Sequence, residues 1–409
     1  MLNRIKALFG GGEAKDVSFA QSWMDAFFGG GETLSGEIVS THSAVQVTAF
    51  YRGMMVIADG LAQLPLELYR KTGNGVEAAE DEDLYDLLSC KPNGSMNGAE
   101  WVHTTVMHAV ATGNAVSWRN VVNGELRELI PVKPECTQIE TRSDLDMRYT
   151  LTLENGRQIV CGRDEVFHLR GPSWNAVQGL DPVLLGREAL GLAQVIARAQ
   201  AASHKNGVKG SALFTLEGNH KPDDPSVKAI RELIQQIYSG ADNKGKAILA
   251  SAGLKFQQLA MNSKDSETLD TRKFQIEEIA RLLGVFAIML GHAGDQSPTF
   301  ASADAFFEAH VRYTLQPWIG RLLAACNEQF LTREQRRAGM KFRMDTSELI
   351  RGSLSDRTEY YKAALGNGSQ PGWLSPEEVR VDDGWNPVGD PRMSRPWHPQ
   401  TSFMDGARP

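Results

Sequence analysis

Two asparagine–glycine dipeptides, each between two segments of alternating apolar and polar residues, constrain the fold of this chain most strongly. Asn123-Gly124 and Asn155-Gly156 favour two-residue turns with positive φ, which join adjacent antiparallel strands. Together with the later apolar segment Val166 to Leu169, the two predicted hairpins form one small antiparallel sheet. Helical periodicity dominates on both sides of this region, so the sequence predicts an α+β fold with more than one domain.

Long helices are predicted after these hairpins. Asp181-Pro182 combines a preferred N-cap residue with a proline that suits the first helical turn, so a helix is predicted over 182–206. Apolar periodicity predicts a second long helix over 265–283 and a third over 302–331. Pro317 should kink the third helix, because a proline ring displaces the carbonyl four residues earlier.

Composition excludes several classes of protein. At roughly 150 residues per domain, 409 residues are enough for two to three domains. With 43 Lys and Arg against 50 Asp and Glu, the formal net charge is −7, which argues against a surface that wraps nucleic acid. The four cysteines are far apart and lack zinc-ligand spacing, so we expect free thiols. The longest nearly continuous apolar run, Ile279 to Gly291, is too short to span a bilayer.

The sharpest candidate for catalytic chemistry is a phosphate-loop pattern in a predicted strand–helix–strand unit. Residues 240–246 fit G-x-x-x-x-G-K, but Ala247 stands where Ser or Thr would bind Mg²⁺. A helix is predicted before the loop and a strand after it, which reverses the order that nucleotide binding needs. His103 and His108 are about 140° apart around one predicted helix and cannot bind one metal ion together. The sequence therefore predicts no enzyme activity, no metal site and no cofactor.

The predicted helix over 182–206 has a line of polar side chains, called here the polar stripe. Its members lie within about 20° of one line along the helix axis: Arg187, Gln194, Arg198 and Lys205. The opposite face is apolar: Leu185, Ala189, Leu192, Ile196 and Ala199. Since amphipathic helices commonly have a solvated polar face, the stripe has a function only if several such helices surround a common axis.

The order of these parts resembles the portal proteins of tailed bacteriophages. Five short segments carry the resemblance: Thr112-Gly113-Asn114-Ala115, Gly179-Leu180-Asp181-Pro182, Ile279 to Val285, Thr314 to Ile319, and Leu374 to Pro387. Each segment is short, and it is their order and spacing from about 43 to 390 that make the match specific. Two departures affect local conformation: Phe286-Ala287 replaces the family's usual proline pair, and Asp181 replaces its usual serine.

The resemblance implies a division of the chain into the parts of a portal subunit. These are a flexible N-terminal arm at 1–42, an α+β wing at 43–180, a first stem helix at 181–206, a strand–helix–strand clip at 207–262, a second stem helix at 263–290, a channel (tunnel) loop at 291–301, a long kinked wing helix at 302–339, a returning strand and helical crown at 340–390, and a disordered tail at 391–409.

The function implied by the resemblance is structural. Such proteins form a homo-oligomeric ring, usually a dodecamer, at one capsid vertex of the virion, after assembly in the host cytoplasm. Double-stranded DNA passes through the central channel without sequence-specific contacts. The implied partners are the terminase large subunit, the major capsid and scaffolding proteins, and a head–tail adaptor, with no membrane.

Two groups of residues are candidates for the channel. The channel loop supplies four polar residues: His292, Asp295, Gln296 and Ser297. The polar stripe is expected to face either the channel or a neighbouring subunit, with the apolar face against the second stem helix. Two alternatives stay open at this point: a nucleotide-dependent hydrolase that uses Lys246, and a different ring-forming head–tail connector.

Overall fold

The computed structural model describes most of the chain in two compact units. The described residues are 33–72, 75–141, 147–153, 156–175, 177–206, 212–216, 254–258, 264–292, 300–346, 354–366, 370–383 and 385–397, with the single positions 225, 228 and 349. The first unit comprises residues 1–298 and 312–344, and the second comprises 299–311 and 345–409. Both helices and strands are present, which confirms the predicted mixed content.

The helices lie mostly where periodicity predicts them. Their bounds are Thr41–Val45 (α1), Thr48–Ala62 (α2), Asp83–Ser89 (α3), Gly98–Thr112 (α4), Pro182–Leu185 (α5), Arg187–Asn206 (α6), Lys264–Leu283 (α7), Phe300–His310 (α8), Gln316–Gln329 (α9), Arg333–Arg337 (α10), Leu354–Leu365 (α11) and Pro376–Asp382 (α12). No helix in the described ranges is long and apolar enough to cross a membrane.

The strands form antiparallel sheets. Their bounds are Glu67–Thr72 (β1), Gly75–Ala78 (β2), Asn114–Val122 (β3), Glu125–Val132 (β4), Thr137–Thr141 (β5), Met147–Thr152 (β6), Gln158–Cys161 (β7), Val166–Arg170 (β8), Ala212–Leu216 (β9), Leu254–Gln258 (β10) and Lys341–Arg343 (β11). The sheet orders are β4-β3-β8, β5-β6-β7, β11-β1-β2 and β10-β9.

The predicted single sheet is divided in two. The turn at Asn123-Gly124 has φ of 55° and 86°, as the Asn-Gly pattern predicts, and joins β3 to β4. However, β8 pairs with β3, with Val116 opposite His168, and not with the second hairpin. That hairpin, β6 and β7, instead pairs with β5, a strand that the sequence analysis did not predict.

Aromatic side chains fill the core between α4, β8 and the end of α9. The Trp101 ring lies 5.3 Å from the Phe167 ring, and Phe167 stacks on Phe330 at 4.8 Å with 6° between the ring planes. Gln329 fixes α9 on β8, because its amide group accepts a hydrogen bond from the His168 backbone N at 2.8 Å and donates one to the His168 carbonyl at 2.9 Å. This core anchors the sheet that carries the Asn114 region.

Two of the predicted long helices are interrupted. The first breaks at Gly186, where an added Cβ would lie 2.2 Å from Leu282 Cδ2, so a larger residue would have to displace the Leu282 side chain of α7. The third contains a π-helical turn, Val311–Leu315, immediately before Pro317 in the first turn of α9. The irregularity lies on the N-terminal side of the proline, where the missing N–H and the ring disturb the helical hydrogen bonds.

In the second unit, the chain after α12 folds back onto that helix. Ser375 and Glu378 form a reciprocal capping box at its start, with bonds of 2.7 and 3.2 Å. Glu377 then accepts a hydrogen bond from Gly389 N at 2.8 Å and donates its own backbone N–H to the Met393 carbonyl at 3.0 Å. Hydrogen bonds from Glu377 N to the Met393 carbonyl and from Gly372 N to the Trp397 carbonyl hold residues 391–397, which belong to the predicted disordered tail.

Candidate functional site

Two of the segments that carry the family resemblance meet just before α5, at the start of the predicted first stem helix. Gly113, with φ of 76°, ends α4, and a Cβ at this position would lie 2.1 Å from the Leu180 carbonyl oxygen. A Cβ at Gly179 would lie 1.8 Å from the Gly113 oxygen. Only glycine permits this crossing of two backbones. Both segments are recognisable as motifs in the sequence, but no local pattern predicts that they touch.

The Asn114 side chain ties the crossing together. Its Oδ1 accepts a hydrogen bond from Gly179 N at 2.8 Å, and its Nδ2 donates one to the Gly179 carbonyl at 3.2 Å. The same Oδ1 lies 3.1 Å from His168 Nε2, while His168 Nδ1 lies 3.0 Å from the Tyr149 hydroxyl. Burial, assisted by Arg170 and Arg163, lowers the pKa of His168 to about 3. The imidazole is therefore neutral near pH 7, with Nε2 donating to Asn114 and Nδ1 accepting from Tyr149.

Asp181 continues the junction into the stem. Its Oδ1 accepts hydrogen bonds from Val183 N at 2.8 Å and Leu184 N at 3.2 Å, which caps α5. Burial raises the pKa of the Asp181 carboxyl, and the two backbone bonds oppose that rise. Aspartate thus performs the capping role for which serine and aspartate are both suited.

The two predicted stem helices, α6 and α7, pack side by side in opposite directions. Gly186, just before α6, contacts Leu282 at the end of α7, whereas Ala193 further along α6 shares a cavity with Ile276 of α7. The end of α7 also packs on α2, where a Cβ at Gly53 would lie 2.3 Å from Leu283 Cδ1. The C-terminal end of α7 therefore packs closely on two glycines, Gly186 just before α6 and Gly53 of α2.

The polar stripe faces residues 33–43 of its own chain. Gln194 Nε2 donates to the Ser43 carbonyl at 2.9 Å, and Arg198 forms an ion pair with Glu37 at 2.5 Å. Arg187 lies partly buried, with its Nε 3.7 Å from Glu188 Oε1. Lys205 is in the last turn of α6, and its side chain lies outside the described part of the structure. The structure thus places two stripe residues, Gln194 and Arg198, along one intramolecular contact.

The start of the described chain completes this contact. Thr33 is only 5% exposed and packs on α6, where a Cβ at Gly191 would lie 3.0 Å from its side chain. The Leu34 backbone N donates to Glu188 Oε2 at 2.9 Å. Residues 33–42 of the predicted flexible arm therefore lie along α6. A short Thr-Leu-Ser-Gly-Glu segment gives no periodic signal from which sequence reasoning could find this contact.

The predicted apolar face of α6 is only partly covered. Leu190, on the side of the polar stripe, is fully buried, whereas Leu192 on the predicted apolar face is 37% exposed. Ala199 on that face is also exposed. The expectation that this face packs wholly against the second stem helix is therefore corrected, because residues 33–43 cover the stripe side of α6 instead.

Most of the predicted channel loop lies outside the described residues, including Asp295, Gln296 and Ser297. His292 is described, and its Nε2 lies 3.6 Å from Glu277 Oε1 on α7. Its backbone N donates to the Ala287 carbonyl at 3.1 Å, next to Gly291 with φ of 85°. His292 is thus held against the second stem helix at the start of the loop.

The described residues give little support to a catalytic or metal-binding site. His103 Nε2 lies 3.2 Å from Asp59 Oδ1, and burial lowers the pKa of His108 to about 4. Within the described ranges, no cluster of His, Cys, Asp or Glu could hold a metal ion. The phosphate-loop pattern at 240–247 lies outside them. The four cysteines are free thiols, as predicted.

Comparison with known proteins gives consistent matches over nearly the whole chain. The family model described as "Phage portal protein" matches residues 48–384. The "Probable portal protein" of Streptomyces phage phiC31 is 27% identical over 94% of this chain and 86% of its own length. The "Portal protein" of Enterobacteria phage HK97 is 24% identical over 88% of this chain and 84% of its own. A chain from the neck of a native gene transfer agent particle, computed with C12 symmetry, has a TM-score of 0.57 at 19% identity, covering 85% of this chain and 94% of that one.

Proposed function

Because the chain belongs to the phage portal protein family, we propose that it forms a homo-oligomeric ring at one vertex of a phage-type capsid. The neck structure with C12 symmetry supports a ring of twelve subunits. The chain would act as a structural part of the virion after assembly in the host cytoplasm. It would perform no catalysis itself.

Partly exposed apolar side chains on the stem are the observation that supports a ring. Leu192 on α6 is 37% exposed, and Phe274 on α7 is 52% exposed. Apolar residues of this size on two adjacent helices are typical of a surface that another protein covers. In a ring, the stem of each subunit lies beside the stem of the next, so a second copy would cover these residues.

The ring would serve as a passive channel for double-stranded DNA during packaging and ejection. Strong contacts with phosphates would slow the sliding of DNA, so a channel needs weak contacts without base readout. Residues 291–301 contain no Lys or Arg, and the formal net charge of the chain is −7. We propose that His292, Asp295, Gln296 and Ser297 are the polar residues of this channel loop.

The polar stripe remains a candidate for the channel wall or for a subunit interface. Its contacts with residues 33–43 of the same chain argue against the channel wall, because Glu37 neutralises Arg198 and leaves less positive potential for phosphates. An arrangement facing the channel would keep Arg187 and Lys205 near the DNA and would require release of Glu37.

The ring would also be a docking platform. We propose that it binds the terminase large subunit, which would supply the ATPase activity, and later a head–tail adaptor. Major capsid and scaffolding proteins would contact its periphery during assembly. These partners follow from family membership, which the match over residues 48–384 supports.

Charged substitutions on the stem test the ring proposal. Phe274→Asp should prevent assembly, because it places a carboxylate in the apolar contact between subunits. Val122→Asp is the matched control, since Val122 is similarly exposed at the end of β3 in the wing. Negative-stain microscopy and mass photometry would count rings for both variants. Equal ring formation by wild type and Phe274→Asp would refute the assignment of this surface.

A further inference from the structure

The strand β5 lies at an open edge of its sheet, beside a groove. In the order β5-β6-β7, β6 is the one described strand that pairs with β5. A groove of about 910 Å³, called here the β5 groove, follows the strand, and residues 137–140 form part of its wall. Other parts of the wall come from the start of α1, the end of α4 and the segment before α5. An edge strand that faces a groove is a place where another strand can add.

The backbone groups of Ile139 on β5 point away from β6 and into the β5 groove. The Ile139 carbonyl accepts a hydrogen bond from Gln178 Nε2 at 2.6 Å, and both residues line the groove. Just after β6, Leu153 N donates to the Arg157 carbonyl on the β7 side. Tyr149, four residues before Leu153, therefore also directs its backbone groups towards β7. Because Tyr149 is opposite Ile139, the N–H and carbonyl of Ile139 belong to the open edge.

The open edge of β5 offers both a donor and an acceptor. Thr137 has the same orientation as Ile139, because the backbone groups of a strand alternate between its two sides. The Thr137 N–H is already bonded to the Pro134 carbonyl. Within the described part of the chain, no strand pairs with β5 on this side. The Ile139 N–H and the Thr137 carbonyl are therefore available to an incoming strand, and the Ile139 carbonyl becomes available if the Gln178 amide moves away.

The β5 groove is acidic. Glu135, Glu140 and Asp181 contribute to its lining, and the described lining contains one His, His42, and no Lys or Arg. Glu140 accepts a hydrogen bond from the neutral amide of Gln138 at 2.9 Å, and Asp181 accepts its bonds from backbone N–H groups. These contacts leave the negative charge of the groove without a cationic partner. Charge complementarity therefore favours an occupant with basic side chains.

An added strand would bring basic side chains next to these carboxylates. Gln138 and Glu140 are two residues apart, so their side chains lie on the same face of β5. A Lys or Arg opposite Glu140 would form a cross-strand ion pair, which stabilises adjacent strands. A second copy of this chain is a poorer match for an acidic groove, because its formal net charge is −7.

We propose that an extended, basic segment of a partner protein adds to the open edge of β5 and displaces the Gln178 amide from the Ile139 carbonyl. The backbone of the segment would bond to Ile139, and its Lys or Arg side chains would contact Glu140 and Glu135. Until the partner binds, the Gln178 side chain occupies an acceptor that a strand needs, which protects the edge from non-specific pairing. The proposal concerns the single subunit and does not depend on ring formation.

Binding of a fluorescein-labelled peptide of alternating valine and arginine to the full-length protein, followed by fluorescence anisotropy, tests the proposal. Glu140→Lys should weaken binding at least about fivefold, because it places like charges opposite each other. Glu77→Lys is the matched control, since Glu77 is exposed on another edge strand, β2, and lies outside the groove. It should bind the peptide as the wild type does. Gln178→Ala should bind more tightly, because it removes the group that the peptide displaces.

Hydrogen exchange separates strand addition from simple attraction between charges. With the peptide bound, the Ile139 amide should exchange at least about tenfold more slowly than in the free protein. The Gln138 and Glu140 amides point towards β6 and should be protected in both states. A peptide of the same charge with methylated backbone nitrogens should leave the exchange of Ile139 unchanged.

Three results would overturn the proposal. The first is unchanged exchange at Ile139 with saturating peptide, or equal peptide binding by the wild type and Glu140→Lys. The second is equal affinity for a peptide of alternating valine and glutamate, because recognition would then not depend on charge. The third is protection of Ile139 that rises with protein concentration in the absence of peptide, which would assign the edge to a second copy of the chain.

Discussion

Asn114 offers the most direct perturbation of the junction between β3 and the segment that leads into α5. In Asn114→Ala, the Gly179 N–H and carbonyl and His168 Nε2 each lose a partner, at distances now between 2.8 and 3.2 Å. Each lost hydrogen bond costs about 1 kcal/mol net, and more where the group left behind is buried. His168 is 4% exposed, so we expect a loss of about 3 kcal/mol in the free energy of unfolding.

Asn120→Ala is the matched control, because Asn120 is on the same strand. Its side chain donates one bond, to Glu128 Oε2 at 2.8 Å, in a partly buried position. Urea denaturation, together with hydrogen exchange at Gly179 and Leu180, would measure both variants. We expect a loss of at most about 1 kcal/mol for the control. Equal losses for the two variants, or unchanged exchange at Gly179 in Asn114→Ala, would refute the role assigned to this side chain.

Three further predictions concern the same region and the stem. Gly179→Ala should displace the junction and abolish stable folding or assembly, since its Cβ would lie 1.8 Å from the Gly113 oxygen, whereas Gly320→Ala has open space and should be tolerated in a solubility and melting assay. Burial lowers the pKa of His168 from 6.5 to about 3. As the pH falls from 6.5 towards 3, His168 therefore becomes protonated in the unfolded chain but stays neutral in the folded chain. Stability should thus be lost as the pH falls below about 6.5, and His168→Gln should make the dependence shallower by about 1.4 kcal/mol per pH unit in denaturation between pH 6 and 4. Replacing the three basic residues of the polar stripe with Gln should leave rings intact in microscopy but alter DNA packaging if the stripe lines the channel; loss of rings would assign it to a subunit interface.

The sequence predicts turns and helix starts well, because each depends on the conformational preferences of only a few adjacent residues. Asn123-Gly124 predicts its turn because positive φ at both positions is a property of those two residues. Asp181-Pro182 predicts a helix start because capping is decided within a few residues. The division into two sheets could not be predicted, since the choice of β3 rather than β7 as the partner of β8 depends on contacts between distant segments.

The same limit applies to the candidate site. Gly113 and Gly179 are marked by the sequence as parts of separate motifs, but their contact becomes visible only when the two backbones cross. The line of Arg187, Gln194 and Arg198 is predicted from helical geometry alone. Its partner, residues 33–43, could not be predicted, because Glu37 and Ser43 form no pattern with α6 in the sequence. Helical periodicity identifies a face of a helix but not what covers it.

The central claim is that the chain assembles into a portal ring. The most direct measurement is negative-stain microscopy of the purified full-length protein, alone and co-expressed with scaffolding protein, paired with mass photometry. We expect axially symmetric rings with a central hole and a mass near twelve protomers of 45.0 kDa. A persistent 45.0 kDa monomer in both preparations would contradict it.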